Sequence, residues 1–171
     1  YGDITANITN SSFSNGTVHN VLYSYTNGGE TFILNVVQNE NADYRTEWKS
    51  ANATDAISLG VSGNATLNFD IADNKKLIIG NDIAVRKNFQ YDYSDPVEFN
   101  KNGGGTLKVD DVRVFYNEDL ENEPDDPDYT AINININSGT LYFSKDSYVG
   151  NRNGTITVKS GAVFKIGTDA G

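Results

Sequence analysis

Residues Ala131 to Asn137 read Ala-Ile-Asn-Ile-Asn-Ile-Asn, a strict alternation of apolar and polar side chains. Drawn out as a strand, the run sends Ile132, Ile134 and Ile136 to one face and Asn133, Asn135 and Asn137 to the other. Wound into a helix, the same residues would scatter around the circumference and bury nothing. The segment is therefore a strand with one dry face and one wet face, and it needs a second apolar layer to cover the dry one.

Shorter runs repeat the pattern. A phrase of the form small-Thr-apolar-x-apolar occurs at Thr66, Thr106, Thr140 and Thr155, as in Gly105-Thr106-Leu107-Lys108-Val109 and Gly139-Thr140-Leu141-Tyr142-Phe143. The Thr positions are separated by 40, 34 and 15 residues, irregular intervals that fit stacked units joined by loops of variable length. Between the phrases lie Leu77-Ile78-Ile79, Ile83 to Val85, Val112 to Phe115 and Ala162 to Ile166, with Gly and Asn in most gaps. The 23 Asn residues suit corners, where Asn tolerates left-handed backbone, and stacked Asn amides can bond in ladders.

The first third reads differently. Val21 to Tyr25 and Thr31 to Val37 flank Thr26-Asn27-Gly28-Gly29-Glu30, and Asn-Gly between two strand-like runs is a strong hairpin signal. The best helical candidate is Asp43 to Lys49, which includes Trp48. Two architectures follow. One is a parallel solenoid with a β-hairpin as N-terminal cap or insertion; the other is an antiparallel β-sandwich in which the repeated phrase is only recurring turn chemistry.

The rungs Gly105 to Val109, Ser138 to Phe143 and Asn153 to Ile166 resemble those of bacterial autotransporter passenger domains, clearly over about residues 100–171 and more faintly over 57–85. The hairpin-like first third and an acidic insertion depart from that pattern. The resemblance implies an all-β, right-handed parallel β-helix, exported to the outer membrane's extracellular side as an adhesin. At ~20 residues per coil the chain would make about eight coils, a rod near 40 Å long. Residues 1–171 then form one β-solenoid domain or fragment: an irregular, hairpin-containing part at 1–56 and repeat rungs at 57–171, with an acidic loop at 117–129.

Composition removes several kinds of chemistry. With 13 Lys and Arg against 23 Asp and Glu the net charge is -10, which disfavours a grip on phosphate backbones, so nucleic acid is not an expected partner. No Cys is present and His occurs once, at His19, so there is no thiol nucleophile, disulfide or Cys/His zinc site. No apolar run approaches the roughly 18 residues of a spanning helix. Lack of Cys suits export. Six Asn-x-Ser/Thr sequons, beginning at Asn7, Asn10, Asn15, Asn52, Asn64 and Asn153, are what so many Asn and Thr residues produce by composition.

Two segments carry the candidate contacts. Glu118, Asp119, Glu121, Asp125, Asp126 and Asp128 stand in a run with seven acids in eleven residues, whose removal would bring the net charge from -10 to -3. Oxygen-rich, it suits Ca²⁺, yet it lacks the Gly that an EF-type loop needs, and self-repulsion with two prolines reads as a solvated loop. Phe89, Tyr91 and Tyr93 alternate, so a strand would line them on one face, as core or as a platform for a sugar ring or a protein. Asp110 and Asp111 are adjacent, point to opposite faces of a strand and cannot act as a catalytic pair. No catalytic, cofactor-binding or metal residue is assigned. The expected role is attachment to a host or bacterial surface protein or glycan, with a stalk or a glycan-cleaving enzyme as the rivals.

Overall fold

The computed structural model describes residues 4–11, 13–14, 22–23, 31–49, 57–60, 65–80, 83–85, 97–110, 113–116, 132–144, 147–149 and 154–167. Its strands fall into three sheets. The first holds β1 (Ile4–Thr9), β4 (Phe32–Gln38), β7 (Ala65–Ile71), β10 (Val97–Asn102), β13 (Ile132–Ile136) and β16 (Ile156–Val158). The second holds β2 (Phe13–Ser14), β5 (Arg45–Lys49), β8 (Lys76–Ile79), β11 (Thr106–Val109), β14 (Thr140–Ser144) and β17 (Val163–Gly167). The third holds β3 (Leu22–Tyr23), β6 (Ile57–Gly60), β9 (Ile83–Val85), β12 (Arg113–Tyr116) and β15 (Tyr148–Val149).

The chain visits first, second and third sheet in turn and then returns to the first, so each strand pairs with the strand one circuit away. Every described pairing is parallel. That overturns the antiparallel sandwich. It also overturns the hairpin: Leu22–Tyr23 pairs with Leu59–Gly60 in the third sheet, while Phe32–Gln38 pairs with β1 and β7 in the first. The reason is non-local. Asn27-Gly28 can turn a chain, but burying Phe32, Leu34 and Val36 requires neighbours that alternate in step with them, and β7 supplies Leu67 and Phe69.

The helical expectation at Asp43–Lys49 is likewise wrong. Arg45–Lys49 is a strand with Thr46 and Trp48 buried and Arg45 and Glu47 facing out as an ion pair. Trp48 donates its indole N–H to the Ser11 carbonyl at 2.9 Å, which satisfies the one polar atom of a buried ring. No helix occurs among the described residues, and none is long and apolar enough to cross a membrane.

Alternation in the sequence becomes alternation in burial. β4, β10 and β13 bury every second residue, and register aligns those residues into columns. One column runs Ala6, Leu34, Leu67, Phe99, Ile134, Ile156; the next runs Ile8, Val36, Phe69, Lys101, Ile136, Val158. From the second sheet, Leu77, Leu107, Leu141 and Phe164 form one facing column, and Trp48, Ile79, Val109, Phe143 and Ile166 another. Phe69 and Phe99 stack with ring centroids 5.0 Å apart, and Phe143 meets Phe164 edge-on at 5.7 Å. Each fully buried Leu, Ile or Phe contributes about 1.5–3 kcal/mol, so the columns supply the main driving force.

A circuit is longer than the expected ~20 residues. Successive partners in the first sheet are 28 (Asn7 to Asn35), 33 (Asn35 to Asn68), 32 (Asn68 to Asn100) and 35 (Asn100 to Asn135) positions apart. Only the last, Asn133 to Thr155, is short, at 22. Six strands spaced about 4.8 Å apart span about 24 Å, not 40 Å. The irregular Thr intervals have the same origin: Thr66 and Thr155 lie in or beside first-sheet strands, whereas Thr106 and Thr140 are partners in the second.

The turns between first and second sheets stack as tightly as the strands. Gly105 and Thr106 donate backbone N–H groups to Ile71 and Lys75, and one circuit later Thr140 donates to Gly105 at 3.0 Å. Gly139, at φ +66°, sits directly on residues 103–105.

Candidate functional site

All nine candidate contact residues, Phe89, Tyr91, Tyr93, Glu118, Asp119, Glu121, Asp125, Asp126 and Asp128, lie outside the described residues, as does His19. Their anchor points do not. Phe89 to Tyr93 fall in the connection from β9 to β10, and Glu118 to Asp128 in the connection from β12 to β13. β9 pairs with β12 and β10 with β13, so both segments leave the third sheet and enter the first on hydrogen-bonded neighbouring strands. That adjacency is invisible in the sequence, where the two segments are separated by β10, β11 and β12.

The outer face of the first sheet is a strip of amides. Asn35 donates Nδ2–H to Asn7 Oδ1 at 2.9 Å, Asn68 to Asn35 at 2.9 Å, Asn100 to Asn68 at 2.9 Å and Asn135 to Asn100 at 3.0 Å. Glu98 accepts from Asn133 at 2.7 Å and Asn135 at 2.8 Å, while Asn137 donates to Asn102 at 2.9 Å. The ladder thus lies along a strand face rather than at the corners expected for Asn. Its donors all run from a later circuit to an earlier one. Amides neither titrate nor attack, so this strip holds register and offers a flat, nearly uncharged surface.

Removing one rung tests that role. Asn68→Ala deletes a donated and an accepted bond at a half-buried site where water can replace both, so unfolding in urea should show a loss of about 1 kcal/mol. An unchanged midpoint would leave the ladder without a stabilising role.

The outer face of the second sheet differs. Its column runs Glu47, Ile78, Lys108, Tyr142, Lys165, and Ile78, Lys108 and Tyr142 are buried although they point away from the core. The Tyr142 ring lies between two ammonium groups, Lys108 Nζ at 5.5 Å and Lys165 Nζ at 4.7 Å from its centroid. Its hydroxyl donates to the Gly167 carbonyl at 2.9 Å, and Lys108 pairs with Asp110 at 2.9 Å.

Among the described residues of the first sheet, two polar side chains point inward. Gln38 accepts from Thr46 Oγ1 at 3.0 Å, but its buried Nε2 has no partner among the described residues. Lys101 is fully buried between Phe69 and Ile136, and its ammonium donates to the carbonyls of Asn102 at 2.6 Å, Gly103 at 2.9 Å and Ser138 at 3.3 Å. Burial pushes its pKa from 10.5 down to about 8, with the nearby charge of Asp70 acting in the opposite direction. Sequence reasoning missed both residues. Strict alternation from Val97 and Phe99 reaches Lys101, and from Phe32, Leu34 and Val36 reaches Gln38, so the parity of each strand carried the signal.

Among the described residues, no group of three or more His, Cys, Asp or Glu side chains converges to hold a metal ion. No family model, curated protein or solved structure matches the chain. The reading of its role therefore stands on the geometry of the chain itself.

Proposed function

We propose that the chain is a right-handed parallel β-helix and forms part of an exported bacterial surface protein of the autotransporter passenger type. In this reading its connecting segments attach to a protein or glycan on host cells or other bacteria. The observation that carries it is the shared exit of the aromatic and acid-rich segments: two consecutive circuits release them between the same pair of sheets, from the neighbouring strands β9 and β12 to the neighbouring strands β10 and β13. A stiff parallel ladder beneath them fixes their anchor points at about 4.8 Å spacing, which lowers the ordering cost of a joint contact. Aromatic residues and carboxylates carried by segments whose anchor strands are neighbours suit a ligand that has sugar or aliphatic faces flanked by cationic or hydroxyl groups.

The test separates the two segments. One variant replaces the acids between Glu118 and Asp128 with Ser, and the other replaces Tyr91 and Tyr93 with Ala. Displayed on a non-adherent cell, each should attach more weakly than the parent, the acid variant also losing the salt dependence of attachment. Undiminished attachment by both variants would overturn the proposal.

A stalk that merely spaces another module from the membrane is the second reading, favoured by the amide strip, whose side chains bond mainly to one another. It is supported if protein and glycan arrays return no ligand for the intact chain.

A further inference from the structure

Asn102, half-buried at the end of β10, is held by its side-chain carbonyl alone. It accepts from Asn137 Nδ2–H through Oδ1 at 2.9 Å and donates no side-chain bond among the described residues, whereas Asn35, Asn68, Asn100 and Asn135 each donate to a neighbour. Its register partner in the preceding circuit is the carboxylate Asp70 in place of an amide. Next in the chain is Gly103, at φ +72° and with no Cβ to screen its nitrogen.

Side chains from three successive circuits meet this pair. The Asn137 amide is already bonded to the oxygen that would carry charge if Asn102 Cγ were attacked. Asp70 Oδ1 lies 2.6 Å from the point at which a Cβ on Gly103 would stand, so a base lies against the Gly103 peptide. The Lys101 ammonium donates to the main-chain carbonyl of Asn102 at 2.6 Å, which withdraws electrons from the Asn102–Gly103 peptide and makes its N–H more acidic. Within the turn Gly105 and Thr106 donate their N–H groups to Ile71 and Lys75, while Gly103 donates to no backbone carbonyl among the described residues.

We propose that Asn102–Gly103 is a self-modifying site: Asn102 rearranges to isoaspartate, and the α-carboxylate so released pairs with the Lys101 ammonium. Asp70 takes the Gly103 N–H proton, and the nitrogen attacks Asn102 Cγ while the carbonyl electrons move onto Oδ1. Collapse breaks the Cγ–Nδ2 bond, ammonia leaves with the proton that Asp70 returns, and a cyclic succinimide remains. Solvent water then adds to the α-carbonyl carbon, the one whose oxygen Lys101 holds, and the bond from that carbon to the Gly103 nitrogen breaks. One water is consumed and one ammonia released, with no oxidant or reductant. The chain now runs through Cγ, and the α-carboxylate stands where the Asn102 main-chain carbonyl stood. The buried ammonium thereby gains a counter-charge in place of a neutral carbonyl. The proposal rests on this corner alone and stands whether the surface-attachment reading holds or fails.

The intact chain, held in mildly alkaline buffer and sampled by peptide mapping, should gain at Asn102 the mass of an acid over an amide, resolved from the Asn-Gly pairs at Asn15, Asn27 and Asn153. Methylation by a protein isoaspartyl methyltransferase, with fragmentation that tells the isomers apart, measures isoaspartate against aspartate. A synthetic peptide of residues 97–108 undergoes the same chemistry without the corner, so its product ratio is the reference. The folded chain should exceed that ratio about 10-fold, the effect of one hydrogen bond from a charged donor. Asp70→Asn and Asn137→Ala, both outside the core columns, should each slow conversion about 10-fold while circular dichroism stays that of the parent. Asn102 left intact over the time in which the peptide converts, a folded-chain ratio equal to the peptide's, or conversion unslowed in both variants would each overturn the proposal.

Discussion

Replacing Gly139 with Ala should destabilise the protein by about 3–5 kcal/mol, the range of the most damaging single substitutions. Two penalties combine. At φ +66° any side chain with a Cβ meets its own backbone, at a cost of about 1–2 kcal/mol. The added Cβ would also lie 2.3 Å from the Gly105 carbonyl oxygen and 2.4 Å from that of Gly103, and neither can move without breaking a turn on which the next circuit is stacked. Gly161 is the control. It occupies the equivalent turn one circuit on at φ +83°, with nothing within 4 Å of its added Cβ among the described residues, so Gly161→Ala should cost only about 1–2 kcal/mol. Urea unfolding of the two variants separates steric overlap from backbone conformation. Equal losses would mean that the stacked turns yield easily and that the overlap carries no weight.

The second large effect belongs to Lys101 and depends on pH. In the folded protein its pKa is about 8, below the ordinary 10.5 that it regains on unfolding. Between those values the unfolded chain binds more protons than the folded one, so stability rises with pH across this interval. Below about pH 8 both states hold the proton and the folded state bears the full cost of a buried charge; above about 10.5 neither does. The interval is worth about 3 kcal/mol at 1.36 kcal/mol per pH unit. Other lysines and tyrosines titrate in the same range, so the quantity to measure is the difference between the parent and Lys101→Met. That difference should shift by about 3 kcal/mol in the parent's favour from pH 7.5 to 10.5. A difference that stays flat across that range would show that the ammonium is solvated in the folded protein.

Both effects arise at the same corner. Lys101 donates to Gly103 and Ser138, the carbonyl of Gly103 is one of the atoms that crowd Gly139, and Ser138 precedes it. A cation bonded to carbonyls of two successive turns ties one circuit to the next. The three bonds satisfy the ammonium, which explains how a charge can stand in a column otherwise filled by Val36, Phe69 and Ile136.

Much of this architecture was legible before any coordinates. The faces assigned to Ile132, Ile134 and Ile136, and to Asn133, Asn135 and Asn137, are those observed. The same parity extends to β4 and β10, where it would also have placed Gln38 and Lys101 inside had it been followed through polar residues. What failed was the choice of neighbour. Asn27-Gly28 predicts that the runs on either side pair, although they enter different sheets; the Thr phrase predicts one repeat, although it marks two sheets. The Asn positions 7, 35, 68, 100 and 135 were the better ruler, since each bonds to the one before. The candidate contact segments were recognised by composition, but their common point of exit depends on the pairing of β9 with β12 and of β10 with β13.

The sequence by itself determined which side of each strand a residue faces, because alternation is a property of the extended backbone and needs no partner. Only the tertiary structure decided which strands lie together, because a strand's backbone donors and acceptors are satisfied by chain some 30 residues away. From that choice come the buried ammonium of Lys101 and the crowding of Gly139. Each is a consequence of what stands one circuit above or below, and neither is written in the residues adjacent in sequence.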